Sequence, residues 1–120
     1  MSNLAFIYDP HLDGDADPGE VVWTWIPYEE DPTHGKDRPV VVIGRVGEDV
    51  FIVPLSSHSH EDRPDHDDWI ELGSGAWDTD GRVSYAYVGR VLRVPHNSIR
   101  REGAILEESR FNAVRDAARL

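Results

Sequence analysis

Cysteine is absent from the 120 residues, which excludes disulfide cross-links and every zinc site built on thiolates. Long apolar runs are absent too. No stretch approaches the roughly 18 consecutive apolar residues of a membrane-spanning helix, and no basic-then-apolar leader opens the chain. We therefore expect a soluble, cytoplasmic protein that makes no use of a membrane. Positive charge is scarce: 12 Lys and Arg stand against 23 Asp and Glu, for a net charge of -11 at pH 7. Phosphate backbones are repelled by such a surface, which argues against nonspecific nucleic-acid binding. The glycine-rich segment 73–81 lacks both the P-loop lysine pattern and the dinucleotide fingerprint, and there is no internal repeat. The length accommodates one domain with its own core.

The acidity is unevenly spread. Asp9, Asp13, Asp15, Asp17 and Glu20 occupy the first twenty residues without a Lys or Arg, and Glu61 to Asp68 holds five acids against Arg63. From Arg82 to the end, eight arginines face four acids. The last third is therefore basic and can face an anion.

Residues 1–17 mix Asp, Gly and Pro without period and read as an acidic arm that is mobile or covers something basic. The folded domain is expected over 18–120. Val21 to Ile26 is β-branched and aromatic and ends at Pro27, which reads as a strand. Pro39 to Val46 and Val50 to Leu55 read as two more, joined at Gly47-Glu48-Asp49 by a hairpin-length turn. Trp69 to Leu72, Ser84 to Val88 and Val91 to Val94 supply the remainder. Short strands at this spacing predict a small antiparallel barrel or curled sheet. A helical turn is expected near Ser98 to Glu102, stopped by Gly103. Phe111, Val114 and Ala118 recur at helical spacing behind Glu107 and Glu108, with Arg115 and Arg119 toward the end, so an amphipathic helix closes the chain.

The sequence places Arg38 at the mouth of an apolar strand, with Pro39 fixing the strand entry, and Ser56 and Ser57 at the end of the next strand. Where two such ends converge, a fixed positive charge beside a hydroxyl suits a phosphate. The competing reading pairs Arg38 with Asp37 or Glu30 at the surface and leaves the serines to satisfy turn backbone. His58, His60 and His66, interleaved with carboxylates, match no standard zinc spacing and suit a solvated loop. His58 lies two positions beyond Ser56, where an imidazole can shuttle a proton. Trp23 and Trp25 share one strand face and read as core or subunit interface, and Trp69 as core. Trp77, in the glycine-rich loop, reads as exposed, with base stacking and packing on its own barrel both open to it.

In order along the chain, Pro18-Gly19-Glu20-Val21-Val22-Trp23, Gly35-Lys36-Asp37-Arg38-Pro39-Val40, Val53-Pro54-Leu55-Ser56-Ser57, Gly81-Arg82-Val83-Ser84 and Gly89-Arg90-Val91-Leu92-Arg93 resemble the motif series of the MazF/PemK toxins, and Arg100 to Leu120 resembles their closing helix. That resemblance implies a mainly β, SH3-like (CcdB/MazF-like) antiparallel barrel with a C-terminal α-helix, forming a homodimer held inactive by a cognate antitoxin protein. It implies cleavage of single-stranded RNA (mRNA) without metal or other cofactor, to 2′,3′-cyclic phosphate and 5′-hydroxyl ends; no DNA ligand is implied for the toxin alone. Arg38 and Ser56 fall at the positions of the family's catalytic arginine and threonine. Lys36, Ser57, His58, Trp77, Arg82 and Arg90 are the candidate substrate-binding residues, and His58 and Glu29 are candidate proton acceptors. Gly89 stands where the family often has an acid. Two alternatives stay open: a catalytically weak barrel acting as a protein-binding module, favoured by the acidity, and a metal-dependent enzyme centred on His58, His60 and His66.

Overall fold

The computed structural model describes residues 8–10, 16–57, 68–99 and 101–118. Seven strands and one helix follow in order: β1 Glu20–Pro27, β2 Gly35–Val46, β3 Asp49–Ser56, β4 Trp69–Gly73, β5 Ser84–Tyr87, β6 Leu92–Pro95, β7 Arg101–Ile105 and α1 Glu108–Ala117. They form one antiparallel sheet in the order β4-β5-β3-β2-β1-β7, with β6 added to β3 off that path. The sheet curls because β3 changes partners along its length. Its first half pairs with β6, from Asp49↔Pro95 to Ile52↔Leu92, and its last two residues pair with β5.

Two local devices shape the centre. Val46 pairs with Asp49, leaving Gly47 and Glu48 as a two-residue hairpin loop, and Gly47 adopts φ 58, the left-handed conformation that such a turn demands. A bulge between Val42 and Gly44 leaves Ile43 without a partner on β3 and bends β2. Side chains from both faces of β1–β3 are buried. Val21, Val41, Ile43, Val53 and Leu55 pack with Leu106, Phe111 and Val114 under the helix. Val22, Ile26, Val40, Val42, Val50 and Ile52 pack on the other face, against Leu92, Val94 and Ile99. The β-branched run Val40–Ile43 is apolar throughout because it is buried on both sides.

Several expectations need correction. The segment after Ser98 is the strand β7, paired with β1, and the only helical turn there is a 3₁₀ turn at His96–Ser98. The lone Gly103 and the β-branched-poor stretch around it carry no strand period, so tertiary pairing decides the conformation. The closing helix is correspondingly shorter than Arg100 to Leu120. Trp69 is half-buried and stacks on Tyr87 at 4.6 Å, with the rings 6° from parallel, because β4 and β5 pair these residues at the sheet's outer edge. Trp25 is 42% exposed.

The described part of the N-terminal arm is docked. The Tyr8 ring lies 5.4 Å from that of Phe111, its hydroxyl donates to the Leu106 carbonyl at 2.5 Å, and Asp17 meets Arg45 at 3.3 Å. Burial, with the nearby carboxylates of Glu108 and then Glu107, pushes the Tyr8 phenol above its ordinary value of 10.0. A raised folded-state value contributes stability that is fully present below the ordinary tyrosine range and is lost as pH rises through the folded value. Alkaline titration above about pH 10 should therefore release the arm from α1. In Tyr8→Phe the alkaline loss measured by chemical denaturation should shrink, with a small penalty at neutral pH from the lost hydrogen bond.

Candidate functional site

The β2–β3 register ends at Val40↔Pro54. Continued by two residues, it sets Arg38, the fourth residue of β2, across from Ser56, so the early part of one strand and the exit of the next meet at one edge of the barrel. There they line a cleft of about 160 Å³, together with Lys36, Asp37, Ser57, Asp78, Arg82 and Ser84, floored by Trp23, Pro39 and Leu55. Ser56 is 8% exposed, Arg38 is half-buried, and Lys36 and Ser57 are exposed. Among the described residues the Arg38 guanidinium makes no ion pair or hydrogen bond, so the surface pairing with Asp37 or Glu30 does not form. A half-buried guanidinium without a partner is poised for an external anion.

The far wall is the loop between β4 and β5. Trp77 is 4% exposed, its Nε1 donates to Ser84 Oγ at 2.9 Å, and Trp23 Nε1 donates to the Trp77 carbonyl at 3.3 Å. Arg110 of α1 adds a bond to the Ser74 carbonyl at 3.3 Å. The expected exposure of Trp77 is thus corrected: the indole packs on its own barrel. The glycines that suggested a solvent-facing loop instead let the indole fold back, since a Cβ on Gly75 would sit 2.1 Å from ring atom Cζ3. Trp77 holds the wall in place and does not face the cleft.

The pinned wall presents Asp78 and Arg82. Asp78 Oδ2 accepts from Arg82 Nε at 2.9 Å and its Oδ1 accepts from the Asp80 N–H at 2.9 Å. The Asp80 amide, then Arg82, holds the Asp78 carboxyl below the usual carboxylate range. A depressed value contributes stability that is present above the ordinary carboxylate value and lost as pH falls through the folded one, so the pair persists across neutral pH. With Nε occupied, the two Nη groups of Arg82 remain for a ligand. Asp78→Asn should keep the loop but release Arg82, raising KM for a phosphate-bearing substrate a few-fold with kcat nearly unchanged.

The cleft thus gathers Lys36, Arg38, Ser56, Ser57 and Arg82 from distant parts of the chain, a local cationic site in an acidic protein. Arg90 is not brought to the cleft lining. Ser56 pairs with Tyr85, so by residue 90 the chain has run past the cleft into a turn, where Arg90 N–H bonds to the Tyr87 carbonyl at 3.2 Å. Glu29 lies in the β1–β2 loop outside the cleft lining. His58, His60 and His66 lie outside the described residues, and among the described residues no cluster of three or more metal-ligating side chains occurs. No helix among them is long and apolar enough to cross a membrane. Sequence reasoning missed Asp78, although its placement four residues before Arg82 in a turn-rich loop is a readable signal.

The family model of the PemK-like, MazF-like toxins of type II toxin-antitoxin systems matches residues 17–120. The crystal structure of MazE-MazF (form III) from Deinococcus radiodurans is similar in fold, with a TM-score of 0.57 at 19% identity, covering 83% of this chain and 89% of that chain. No curated protein matches the chain in sequence.

Proposed function

The chain belongs to the family of PemK-like, MazF-like toxins of type II toxin-antitoxin systems, and on that premise we propose that it is a metal-independent endoribonuclease of single-stranded RNA. The observation that carries this reading is the convergence on one cleft of Arg38, which has no partner among the described residues, with Ser56, Ser57, Lys36 and Arg82. The ribose 2′-hydroxyl attacks the adjacent phosphorus and the bond to the 5′-oxygen breaks, leaving a 2′,3′-cyclic phosphate and a free 5′-hydroxyl. The proton of the 2′-hydroxyl goes to a base, and the leaving oxygen takes one up. Arginine stays protonated in proteins, so Arg38 stabilises the charge that builds on the phosphorane-like transition state and is not the base. Ser56 donates a hydrogen bond to a non-bridging oxygen, while Lys36, Ser57 and Arg82 hold the neighbouring phosphates. Asp37, which lines the cleft, is a candidate to accept the proton, with His58 and Glu29 as the others.

A homodimer and a cognate antitoxin that covers the cleft complete the reading. The similar Deinococcus radiodurans structure is a MazE-MazF complex, which supports a protein partner of this kind. Purified protein incubated with mixed-sequence single-stranded RNA should cut it, and co-purified antitoxin should suppress cutting. RNA left intact at every protein concentration, by a sample that elutes as a folded species, would refute the proposal and favour a binding module.

A further inference from the structure

Beyond the cleft, β1 borders an open groove of about 570 Å³ lined by Thr24, Trp25, Asn97, Ser98 and Ile99. The two depressions adjoin. Trp25 pairs across the sheet with Asp37, and Thr24 pairs with Arg38; Asp37 and Arg38 both line the cleft. Trp25 shares a strand face with Trp23 in the cleft floor, and two strand residues separate them by about 6.6 Å, a step that one extended nucleotide can span.

We propose that this groove is a nucleobase site, in which Trp25 stacks on a base flanking the scissile phosphate and Asn97 reads its edge. The assignment rests on the ribonuclease reading of the cleft. Trp25 is 42% exposed, and its ring lies against Gly35, where a Cβ would come 2.8 Å from Cζ2. The ring is thus packed at Cζ2 against the start of β2 while the side chain stays open to solvent. The opposite wall is fixed by Thr24 Oγ1, which donates to the Ser98 carbonyl at 3.0 Å. Asn97 is exposed and its amide makes no hydrogen bond among the described residues, leaving both a donor and an acceptor for a base edge. A protein partner fits less well, because a single indole ringed by Thr, Asn and Ser is not a contiguous apolar patch. The exposed Ile105 lies opposite Glu20, at the other end of β1.

The test is the affinity of the full-length protein for a fluorescein-labelled, 2′-O-methylated single-stranded RNA, which lacks the attacking hydroxyl, read by anisotropy. Loss of one base stack predicts that Trp25→Ala weakens binding roughly ten-fold, while Trp25→Phe retains most of the affinity. Ile105→Ala, a control for lost apolar surface, should bind as wild type. Asn97→Ala should flatten the preference when the base at one position is varied. Thermal melts of each variant confirm that it is folded. Trp25→Ala binding as tightly as wild type, while Arg38→Ala abolishes cleavage of unmodified RNA, overturns the base site and leaves the ribonuclease reading standing. Wild-type protein that neither binds nor cleaves overturns both. Loss of self-association in Trp25→Ala with RNA affinity intact, measured by sedimentation, assigns the groove to a protein interface and also overturns the proposal.

Discussion

Arg38→Ala should lower the single-turnover rate of RNA cleavage by roughly 10²–10³-fold, the size of effect seen when one preorganised donor to a developing oxyanion is removed. The structure gives grounds for a loss in the chemical step beyond weakened binding. Arg38 is half-buried and opposite Ser56, so its charge acts in a partly desolvated cleft where an electrostatic interaction is stronger than in bulk water. Lys36 and Arg82 still line the cleft in the variant and continue to attract the substrate, so KM should rise less than kcat falls. Arg38→Lys keeps the charge but loses the planar fork that engages two phosphate oxygens together, and should recover only part of the rate. Stability should be nearly unchanged, since Arg38 has no ion pair or hydrogen bond among the described residues to lose. A fall in melting temperature parallel to the fall in rate would mean that Arg38 supports the fold.

Gly75→Ala should damage both stability and activity, although Gly75 is outside the cleft lining. The added methyl would stand 2.1 Å from the Trp77 ring, an overlap that no rotamer of an alanine relieves. The indole is 4% exposed and packs in the cluster that contains Leu72, Phe111 and Val114, so it cannot move aside without disturbing the core. Overpacking of this kind costs about 1–3 kcal/mol. Displacing the indole also strains the bond that its Nε1 donates to Ser84 and, through the backbone, the bond that the Trp77 carbonyl accepts from Trp23 Nε1, and with them the wall that carries Asp78 and Arg82. Thermal melting should show the destabilisation, and cleavage should fall in a protein that retains Arg38 and Ser56. Trp77→Phe provides the contrast. It keeps an aromatic ring but deletes the Nε1–Ser84 hydrogen bond, so the melting temperature should fall. A stacking residue would instead lose RNA affinity with the melting temperature unchanged.

Much of the barrel was legible because local and tertiary preferences agree in its centre. Val21 to Ile26, Val40 to Ile43 and Val50 to Leu55 are β-branched or apolar and are strands on every count. The approach of Arg38 to Ser56 was legible for the same reason: once the hairpin at Gly47 sets the register, the early part of β2 must run beside the end of β3, although β2 begins at Gly35, four residues before the expected start at Pro39. Elsewhere, decisions made through space left little trace in the local sequence. The strand β7 is specified by pairing with β1, and its own residues favoured a turn. Trp77 and Trp25 differ from the expected burial for a related reason. A glycine-rich loop marks backbone freedom, which served to bury Trp77 over Gly75, whereas the apolar run around Trp25 hid the exposure of its indole. Arg90 carried a family motif but lies one turn beyond the cleft, a displacement set by the β3–β5 register. Asp78 was overlooked because its role comes from two hydrogen bonds within a loop, not from a spacing that recurs along an element.

The central claim is that Arg38 and Ser56 form a transesterification centre driven by the RNA's own 2′-hydroxyl. The most direct measurement is the chemistry of the ends produced from a defined single-stranded RNA in the presence of excess chelator, resolved by mass spectrometry. The account predicts unimpaired cleavage yielding 2′,3′-cyclic phosphate and 5′-hydroxyl ends, with both products absent in Arg38→Ala. Cleavage that stops with chelator, or that yields 5′-phosphate and 3′-hydroxyl ends, would contradict it.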